Sequence, residues 1–342
     1  MKKINNTKKN NIIKKLFIKL CRIIGFEIID QSNLSLPTSD RSAFENLSVL
    51  GKNTITISLG ETKITRPVKS LDIIIKTCTT VNLVTQNKKR IFEKNKSEYT
   101  FRTIKSLIKS LEFDKEILKK IKIKIYIIDH NSKKEDLEQI KNIIKTININ
   151  FEIINLNLEQ FDQIKVLNKN NSVIENNMKA TMASILTSFN IAKEKSNDLV
   201  YFVEDDYIHK KESLSEMIYS YEKISSELGR ELFLCPIDYP YLYKKMENSN
   251  ILIGNKYHWR TVNESLLTFL TSKELINKYW NELILMSTNE LSPFETPLHK
   301  IYEKELCLSP IPSLAMHCTN VNSVFGLSPN INWKKLWDEN KF

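Results

Sequence analysis

The stretch LDIIIKTCTT, residues 71–80, contains a short apolar run that ends in small polar residues. A run of this length, rich in β-branched side chains, is typical of a strand buried on both faces of a sheet. Ligands of open α/β sheets bind beyond the carboxyl ends of the strands, where the polar residues of this stretch lie. The segment therefore predicts a buried strand of a parallel sheet with a binding site at its carboxyl end.

Strand-like and helix-like segments alternate after this stretch. The apolar periodicity predicts a helix over 98–119, a strand over 121–129, a helix over 133–147, a strand over 148–156, a helix over 178–195 and a strand over 198–206. Such alternation predicts an α/β fold, with a mixed, mainly parallel sheet flanked by helices. The carboxyl ends of the strands, Thr77–Thr80, Asp129–Ser132 and Glu204–Asp206, are all polar and are expected to meet at one edge.

Composition and missing motifs exclude several classes of protein. The 342 residues are 41% hydrophobic and 27% charged, which excludes a disordered chain and a polytopic membrane protein. Only six glycines occur and none are closely spaced, so P-loop and dinucleotide-binding glycine motifs are absent. The motifs of zincins, α/β-hydrolases and zinc ribbons are absent as well. Five scattered cysteines predict reduced thiols and a cytoplasmic protein.

The positive charge is concentrated at the amino terminus. The formal net charge is +11, and residues 1–22 carry eight basic and no acidic side chains. Residues 11–29 place apolar side chains at helical spacing with basic residues on the other faces. Such a helix favours an anionic membrane surface, which predicts a peripheral protein on the inner face of the cell membrane. The alternatives are a helix docked on its own domain or a disordered basic tail.

Four regions follow from this pattern. Residues 1–30 are the basic amphipathic helix, and residues 31–66 are a polar, turn-rich linker with a predicted hairpin at 54–65. Residues 67–330 form the α/β domain, and residues 331–342 are interpreted as a C-terminal tail.

The stretch YFVEDDYIH, residues 201–209, runs from an apolar strand into three consecutive acids, Glu204, Asp205 and Asp206. Adjacent carboxylates repel one another and resist burial, a cost that a divalent cation with oxygen ligands removes. The triplet therefore favours a site for Mn²⁺ or Mg²⁺. The alternative is a solvated acidic turn that caps the following helix, with Asp206 as the capping residue.

Placed at the end of the fourth strand, this triplet resembles the DxD-type motif of GT-A fold nucleotide-sugar glycosyltransferases of the family 2 kind, over about residues 68–320. In that family the last acid binds a divalent cation that holds the donor diphosphate, which implies this role for Asp206. The earlier acids contact the sugar or ribose, or coordinate through water, which implies donor contacts for Glu204 and Asp205. The resemblance implies metal-dependent transfer of a sugar to a hydroxyl of a glycan or lipid-linked acceptor.

Further positions match the same family pattern. The resemblance implies nucleotide-sugar contacts for Thr77, Thr79, Asp129, Ser132, Asn177 and Lys179. It implies that His317 completes the metal site, the alternative being an ordinary core or surface histidine. Glu295 matches loosely the catalytic base of inverting members; the alternative is a glutamate favoured by the helix dipole. Asp238 is the second candidate for the base.

Two segments of the second half predict contacts with sugars. Residues 258–269 bring together His258, Trp259 and Arg260; tryptophan offers a stacking face and arginine a phosphate-binding fork. Arg260 is therefore predicted to contact the donor, and His258 and Trp259 the acceptor. Tyr239, in a Pro-rich stretch, is predicted at the acceptor rim. The alternative for residues 258–269 is a β-strand with an ordinary aromatic residue and a surface ion pair, and the alternative for Tyr239 is ordinary packing.

Two other functions compete with this one. A nucleotidyltransferase on a related sheet usually carries a glycine-rich basic loop after the first strand, where this chain has KTCTTVNLV. A non-enzymatic adaptor for membrane or nucleic acid leaves the acid triplet without a purpose. The nearly neutral body also disfavours nucleic acid, which requires basic residues spread over a face. The expected partners are a nucleotide-sugar donor, an acceptor of envelope polysaccharide synthesis and an anionic membrane.

Overall fold

The structure is a computed structural model that describes residues 12–26, 63–80, 90–167, 172–244, 248–291, 293–318, 327–328 and 330–342. The chain separates into two units, Met1–Lys63 and Ile64–Phe342. The predicted linker and hairpin of 31–66 lie almost entirely outside the described residues.

The described part of the first unit is helix α1, Ile12–Ile23. Large apolar side chains are exposed along it, namely Leu16, Phe17, Leu20 and Ile23, and Lys19 and Arg22 are exposed as well. The helix is therefore amphipathic, as its sequence predicts. None of the helices in the described ranges has both the length and the apolar character needed to cross a membrane.

The strands of the second unit are β1 (Ser70–Thr77), β2 (Lys122–Asp129), β3 (Asn150–Asn155), β4 (Leu199–Glu204), β5 (Tyr207–His209), β6 (Phe233–Leu234), β7 (Ile251–Ile253), β8 (His258–Val262), β9 (Phe269–Ser272), β10 (Cys307–Ile311) and β11 (Ala315–His317). Within the described residues, nine of them form one sheet in the order β3-β2-β1-β4-β9-β6-β10-β8-β7. The pairs β1–β2, β1–β4, β2–β3 and β6–β10 are parallel, and the others are antiparallel. The longest pairings are parallel, so the predicted α/β class with a mixed, mainly parallel sheet is confirmed.

The helices of the second unit are α2 (Lys96–Phe113), α3 (Lys115–Lys120), α4 (Lys134–Ile144), α5 (Ser172–Glu194), α6 (Ser213–Leu228), α7 (Lys273–Lys278), α8 (Trp280–Thr288), α9 (Thr296–Tyr302) and α10 (Trp333–Glu339). Helix α2 packs with α4 and α6, and α5 packs with α7 and α8. Successive residues of β1, from Ile73 to Ile75, are fully buried, so both faces of the sheet are covered there.

Two predicted helices have different bounds in the structure. The helix predicted over 98–119 is divided into α2 and α3 at Asp114, which has extended backbone angles. The Asp114 side chain accepts a hydrogen bond from the N–H of Glu116, so it caps the second helix in place of continuing the first. The helix predicted over 178–195 begins earlier, at Ser172.

The C-terminal residues, interpreted from the sequence as a tail, contain helix α10. Asn332 caps this helix by accepting a hydrogen bond from the N–H of Lys335. Trp337 is buried and packs with Tyr99 of α2, and the guanidinium of Arg102 lies 4.1 Å from the centre of its indole ring. The folded unit therefore extends to Phe342 and does not end at residue 330.

Candidate functional site

The polar ends of three parallel strands meet at the carboxyl edge of the sheet. Thr77 of β1 lies opposite Asp129 of β2, and Lys76 lies opposite Glu204 of β4. The neighbouring positions follow from the parallel register of these strands, in which carboxyl ends share one edge. The expected meeting of the three polar segments is thus observed.

The ends of β1 and β2 are joined by hydrogen bonds between predicted donor-binding residues. The hydroxyl of Thr77 donates to Asp129 (2.8 Å), and the N–H of Ser132 donates to the other oxygen of that carboxylate (3.1 Å). The N–H of Thr79 donates to the Ser132 hydroxyl (2.9 Å). Four predicted residues therefore form one connected polar edge.

The acid triplet lies beside this edge, and each acid contacts a different basic residue. The pairs are Lys76 with Glu204 (3.3 Å), Lys96 with Asp205, and Arg90 with Asp206 (2.9 Å). The side chains of Asp205 and Asp206 are only 11% and 10% exposed. This burial contradicts the alternative of a solvated acidic turn.

Asp205 connects the end of β4 to the start of α2. One of its oxygens accepts from Lys96, and the other accepts from the Thr100 hydroxyl (2.9 Å) and from the N–H of Cys78 (3.3 Å). Both oxygens are thus committed within the protein. This arrangement supports a structural role for Asp205 more directly than the predicted donor contact.

Asp206 meets His317 because two short strands pair with each other. β5 and β11 are antiparallel, with Tyr207 opposite His317. The Nε2 atom of His317 lies 3.5 Å from Oδ1 of Asp206, and its ring stacks on Tyr207 at 4.4 Å. Burial disfavours the charge of Asp206, but His317, Lys96 and Arg90 outweigh it and hold the pKa of this carboxyl well below its usual range.

Asp206 and His317 are the predicted ligands of a divalent cation, and the structure brings them next to each other. The described ranges contain no group of three or more Asp, Glu, His or Cys side chains that could hold a metal. Mg²⁺ is often bound by one or two carboxylates together with substrate phosphates, so two protein ligands are compatible with such a site. The Nδ1 atom of His317 is buried without a hydrogen-bond partner, whereas metal-bound histidines usually donate from their second nitrogen. One carboxylate and one imidazole match in number a cation shared with a substrate phosphate, but the imidazole lacks the second hydrogen bond that usually orients a metal-bound histidine.

Glu295, at the start of α9, lies at the same edge of the sheet. It is half-buried and close enough to Glu204, Lys76 and His317 for their charges to affect its titration. Burial, and then the negative charge of Glu204, raise the pKa of Glu295 to about 7. A carboxyl group with this pKa can accept a proton near neutral pH, as the predicted base requires.

Asp238, the second candidate for the base, is buried in an ion pair. One of its oxygens accepts from Nε and a terminal nitrogen of Arg260 (3.0 and 2.7 Å), and the other accepts from the Tyr243 hydroxyl. A base needs a free oxygen facing the substrate, which this carboxylate does not have. Arg260 is committed to the same pair, so the predicted phosphate contact does not fit its position either.

The predicted acceptor residues do not form one surface. Trp259 is completely buried and its indole N–H donates to Glu216 (3.3 Å), because it packs under the β7–β8 turn. Tyr239 is also buried, with its hydroxyl 2.9 Å from that of Tyr207. Neither ring offers a face to a sugar. His258 is exposed on β8.

Asn177 and Lys179 lie on α5. Lys179 is 3.8 Å from the exposed Asp162, and the backbone carbonyl of Asn177 accepts from Thr181. Among the residues that the structure describes, no hydrogen bond or ion pair joins either side chain to the acid triplet.

The basic partners of the triplet, Lys76, Lys96 and Arg90, are functional residues that were not predicted from the sequence. Adjacent carboxylates at the end of a buried strand require nearby positive charge, so the sequence does predict that basic side chains lie beside the triplet. It does not say which of the 51 basic residues supply the charge, since the partners lie more than a hundred positions away along the chain.

Comparisons with known proteins add solved structures only. No protein-family model matches the chain, and no curated protein matches it. A galactosyltransferase LgtC structure with donor and acceptor sugar analogues is 11% identical over 70% of this chain and 72% of that one, with a TM-score of 0.35. A UDP-glucose pyrophosphorylase with UDP-glucose is 9% identical over 80% and 97% (TM-score 0.41), and a glucosyl-3-phosphoglycerate synthase from M. tuberculosis is 10% identical over 78% and 75% (0.32). With TM-scores below 0.5, these likenesses leave the activity to be argued from the site.

The buried Asp205–Lys96 pair predicts a large difference in stability between two variants. Asp205→Ala leaves Lys96 and Thr100 buried without their partner, and we expect it to lower the free energy of unfolding by about 3–5 kcal/mol. Glu204→Gln removes a pair whose side chains are 15% and 28% exposed, and we expect a loss below about 1 kcal/mol. Urea denaturation measures both values. Equal, small losses would contradict the structural role of Asp205.

Proposed function

We propose that the chain is a transferase that takes a sugar from a nucleotide-diphosphate donor and moves it to an acceptor hydroxyl. The observation that carries this proposal is the assembly of three groups at one sheet edge. These are the hydrogen-bonded end of β1 and β2, the buried Asp206 with His317, and Glu295 with a pKa near 7. These three groups suit a nucleoside, a diphosphate and an acceptor hydroxyl, in that order.

The donor is proposed to lie along this edge. We expect the base and ribose to bind beside Thr77, Thr79, Asp129 and Ser132, which are hydrogen-bonded to one another, and we expect the diphosphate to lie toward Asp206 and His317. Asp206 and His317 are the residues that would hold Mn²⁺ or Mg²⁺, and the cation would supply positive charge for the leaving diphosphate.

Glu295 is the proposed general base. It removes the proton of the acceptor hydroxyl while that oxygen attacks the anomeric carbon. A bond forms between the anomeric carbon and the acceptor oxygen, the bond to the diphosphate oxygen breaks, and the nucleoside diphosphate leaves with the electron pair. Direct displacement of this kind inverts the configuration of the sugar.

The acceptor is proposed to be a glycan or lipid-linked glycan at the inner face of the membrane, as in envelope polysaccharide synthesis. Support comes from α1, whose exposed apolar side chains lie among exposed basic ones. An interfacial helix of this composition binds anionic lipid headgroups.

A panel of nucleotide sugars tests the function. We expect one donor to raise the melting temperature in the presence of MnCl₂ and to have little effect with EDTA, because donor and cation bind together. Asp206→Asn is expected to lose this effect and the release of nucleoside diphosphate. Asp162→Asn is the matched control, since its carboxylate is exposed.

Two other results of the same panel would contradict the proposal. Release of pyrophosphate from a nucleoside triphosphate and a sugar phosphate would make the chain a nucleotidyltransferase. Absence of any shift with every nucleotide would favour a non-enzymatic adaptor.

The role of Glu295 predicts a pH dependence. Because a base must be deprotonated, we expect kcat to rise as the pH increases through about 7 and to level off above it. Glu295→Gln is expected to lower kcat by about 10²–10⁴-fold and to abolish this inflection. Glu303→Gln, an exposed glutamate just after α9, is the control. An unchanged profile in Glu295→Gln would rule out this base.

Membrane attachment through α1 is tested by flotation of the full chain with vesicles. We expect binding to vesicles that contain phosphatidylglycerol and not to pure phosphatidylcholine. Phe17→Ser with Leu20→Ser should lower the bound fraction at least about tenfold, since burial of each such side chain contributes about 1.5–3 kcal/mol. Leu167→Ser with Leu228→Ser removes two exposed leucines of the second unit and should have no effect. Equal flotation of both double variants would refute attachment by α1.

A further inference from the structure

Arg90 is the basic residue that contacts Asp206 directly. Its terminal nitrogen lies 2.9 Å from Oδ2 of Asp206, on the carboxylate oxygen that does not face His317. The Arg90 side chain is only 9% exposed. Its Nε atom is buried without a hydrogen-bond partner, although a guanidinium presents five donors in a rigid fork. The proposed metal site thus already contains a cation with an unused donor.

The turn that follows Arg90 is fixed by Tyr99 of α2. The guanidinium of Arg90 lies 5.1 Å from the centre of the Tyr99 ring. The Tyr99 hydroxyl donates to the carbonyl of Ile91 and accepts from the N–H of Lys94 (3.3 Å). A guanidinium is not deprotonated in proteins, so Arg90 places a fixed positive charge beside Asp206.

Helix α10 holds the same turn from the other side. Phe92 and Glu93 have φ angles of +72° and +48°, which residues other than glycine rarely adopt. Such a conformation persists only where the surrounding packing enforces it. Phe92 stacks on Trp337 with ring centres 4.0 Å apart and lies 5.5 Å from Trp333. The C-terminal helix therefore contributes to the position of Arg90.

The three acids of the triplet are paired with basic side chains in the structure. Each contacts one lysine or arginine, and Asp206 also lies 3.5 Å from His317. A divalent cation that approaches Asp206 is attracted by a carboxylate that is already paired, and it is repelled by the guanidinium. A bound diphosphate favours binding of the cation, because its negative charge attracts both the metal and Arg90.

We infer that Arg90 is a built-in counter-ion with two effects. It weakens the binding of a divalent cation to Asp206 when no diphosphate is present, and it binds the diphosphate directly when one arrives. Helix α10 keeps it in place for both. Both effects rest on the cation and diphosphate sites of the proposed function, but neither depends on the proposed sugar transfer.

The test uses the full chain and two simple probes. Binding of Mn²⁺ alone is measured from the electron paramagnetic resonance signal of the free ion, and binding of inorganic pyrophosphate is measured by calorimetry in metal-free buffer. Arg90→Gln should bind Mn²⁺ roughly tenfold more tightly than the unmodified chain, because the repelling charge is gone. It should bind pyrophosphate roughly tenfold more weakly, because a charged donor is gone.

Opposite shifts in the affinities for Mn²⁺ and pyrophosphate distinguish this role from a structural one, because a damaged site would bind both probes more weakly. Arg90→Lys retains the charge and should stay within about threefold of the unmodified chain for Mn²⁺. Trp337→Leu should shift both affinities in the same directions as Arg90→Gln; unchanged affinities would remove α10 from the inference. Circular dichroism confirms that each variant is folded.

Unchanged or weaker Mn²⁺ binding in Arg90→Gln would overturn the inference, as would the absence of Mn²⁺ binding in every variant. If no nucleotide sugar binds in the panel described above but Arg90→Gln shows the opposite shifts, the proposed reaction is refuted and the role of Arg90 stands.

Discussion

The burial of two adjacent carboxylates at the end of β4 is the constraint on which the rest of the site depends. Asp205 and Asp206 are charged and largely withdrawn from water, and each requires a positive partner in a medium where an unpaired charge costs several kcal/mol. The partners come from different places, Lys96 at the start of α2 and Arg90 in the turn before it. The ion pairs of the two acids therefore connect the carboxyl edge of the sheet to α2 and to the turn before it. The pairing of β11 with β5 places His317 beside Asp206.

The same edge contains carboxyl groups in two contrasting environments, and this contrast suggests two chemical roles. Asp206 is surrounded by His317, Lys96 and Arg90, and its pKa is well below the usual range. Glu295 is affected mainly by burial and by the charge of Glu204, and its pKa rises to about 7. Acid and base roles are commonly separated by environments that move pKa values apart in this way. A permanently charged Asp206 suits cation binding, and a titrating Glu295 suits proton transfer.

Periodicity and polar strand ends predicted much of the first half of the fold and site. The strands at 121–129, 148–156 and 198–206 were placed within a few residues, and the connected residues Thr77, Asp129 and Ser132 do meet. The second half was predicted less well, because Trp and Tyr serve packing as readily as binding, and an aspartate such as Asp238 can be buried in an ion pair. Their burial depends on Glu216, Tyr207 and Arg260, partners that tertiary structure alone brings near. The role of α10 was missed for the same reason, since its contacts with α2 are between distant parts of the chain.

The most direct measurement is the position of manganese in crystals soaked with MnCl₂ and a nucleoside diphosphate. The proposed chemistry predicts an anomalous-difference peak within about 2.5 Å of both a carboxylate oxygen of Asp206 and Nε2 of His317, with diphosphate oxygens on the same ion. A diphosphate bound elsewhere on the protein, or a manganese peak away from these two residues, would contradict the central claim.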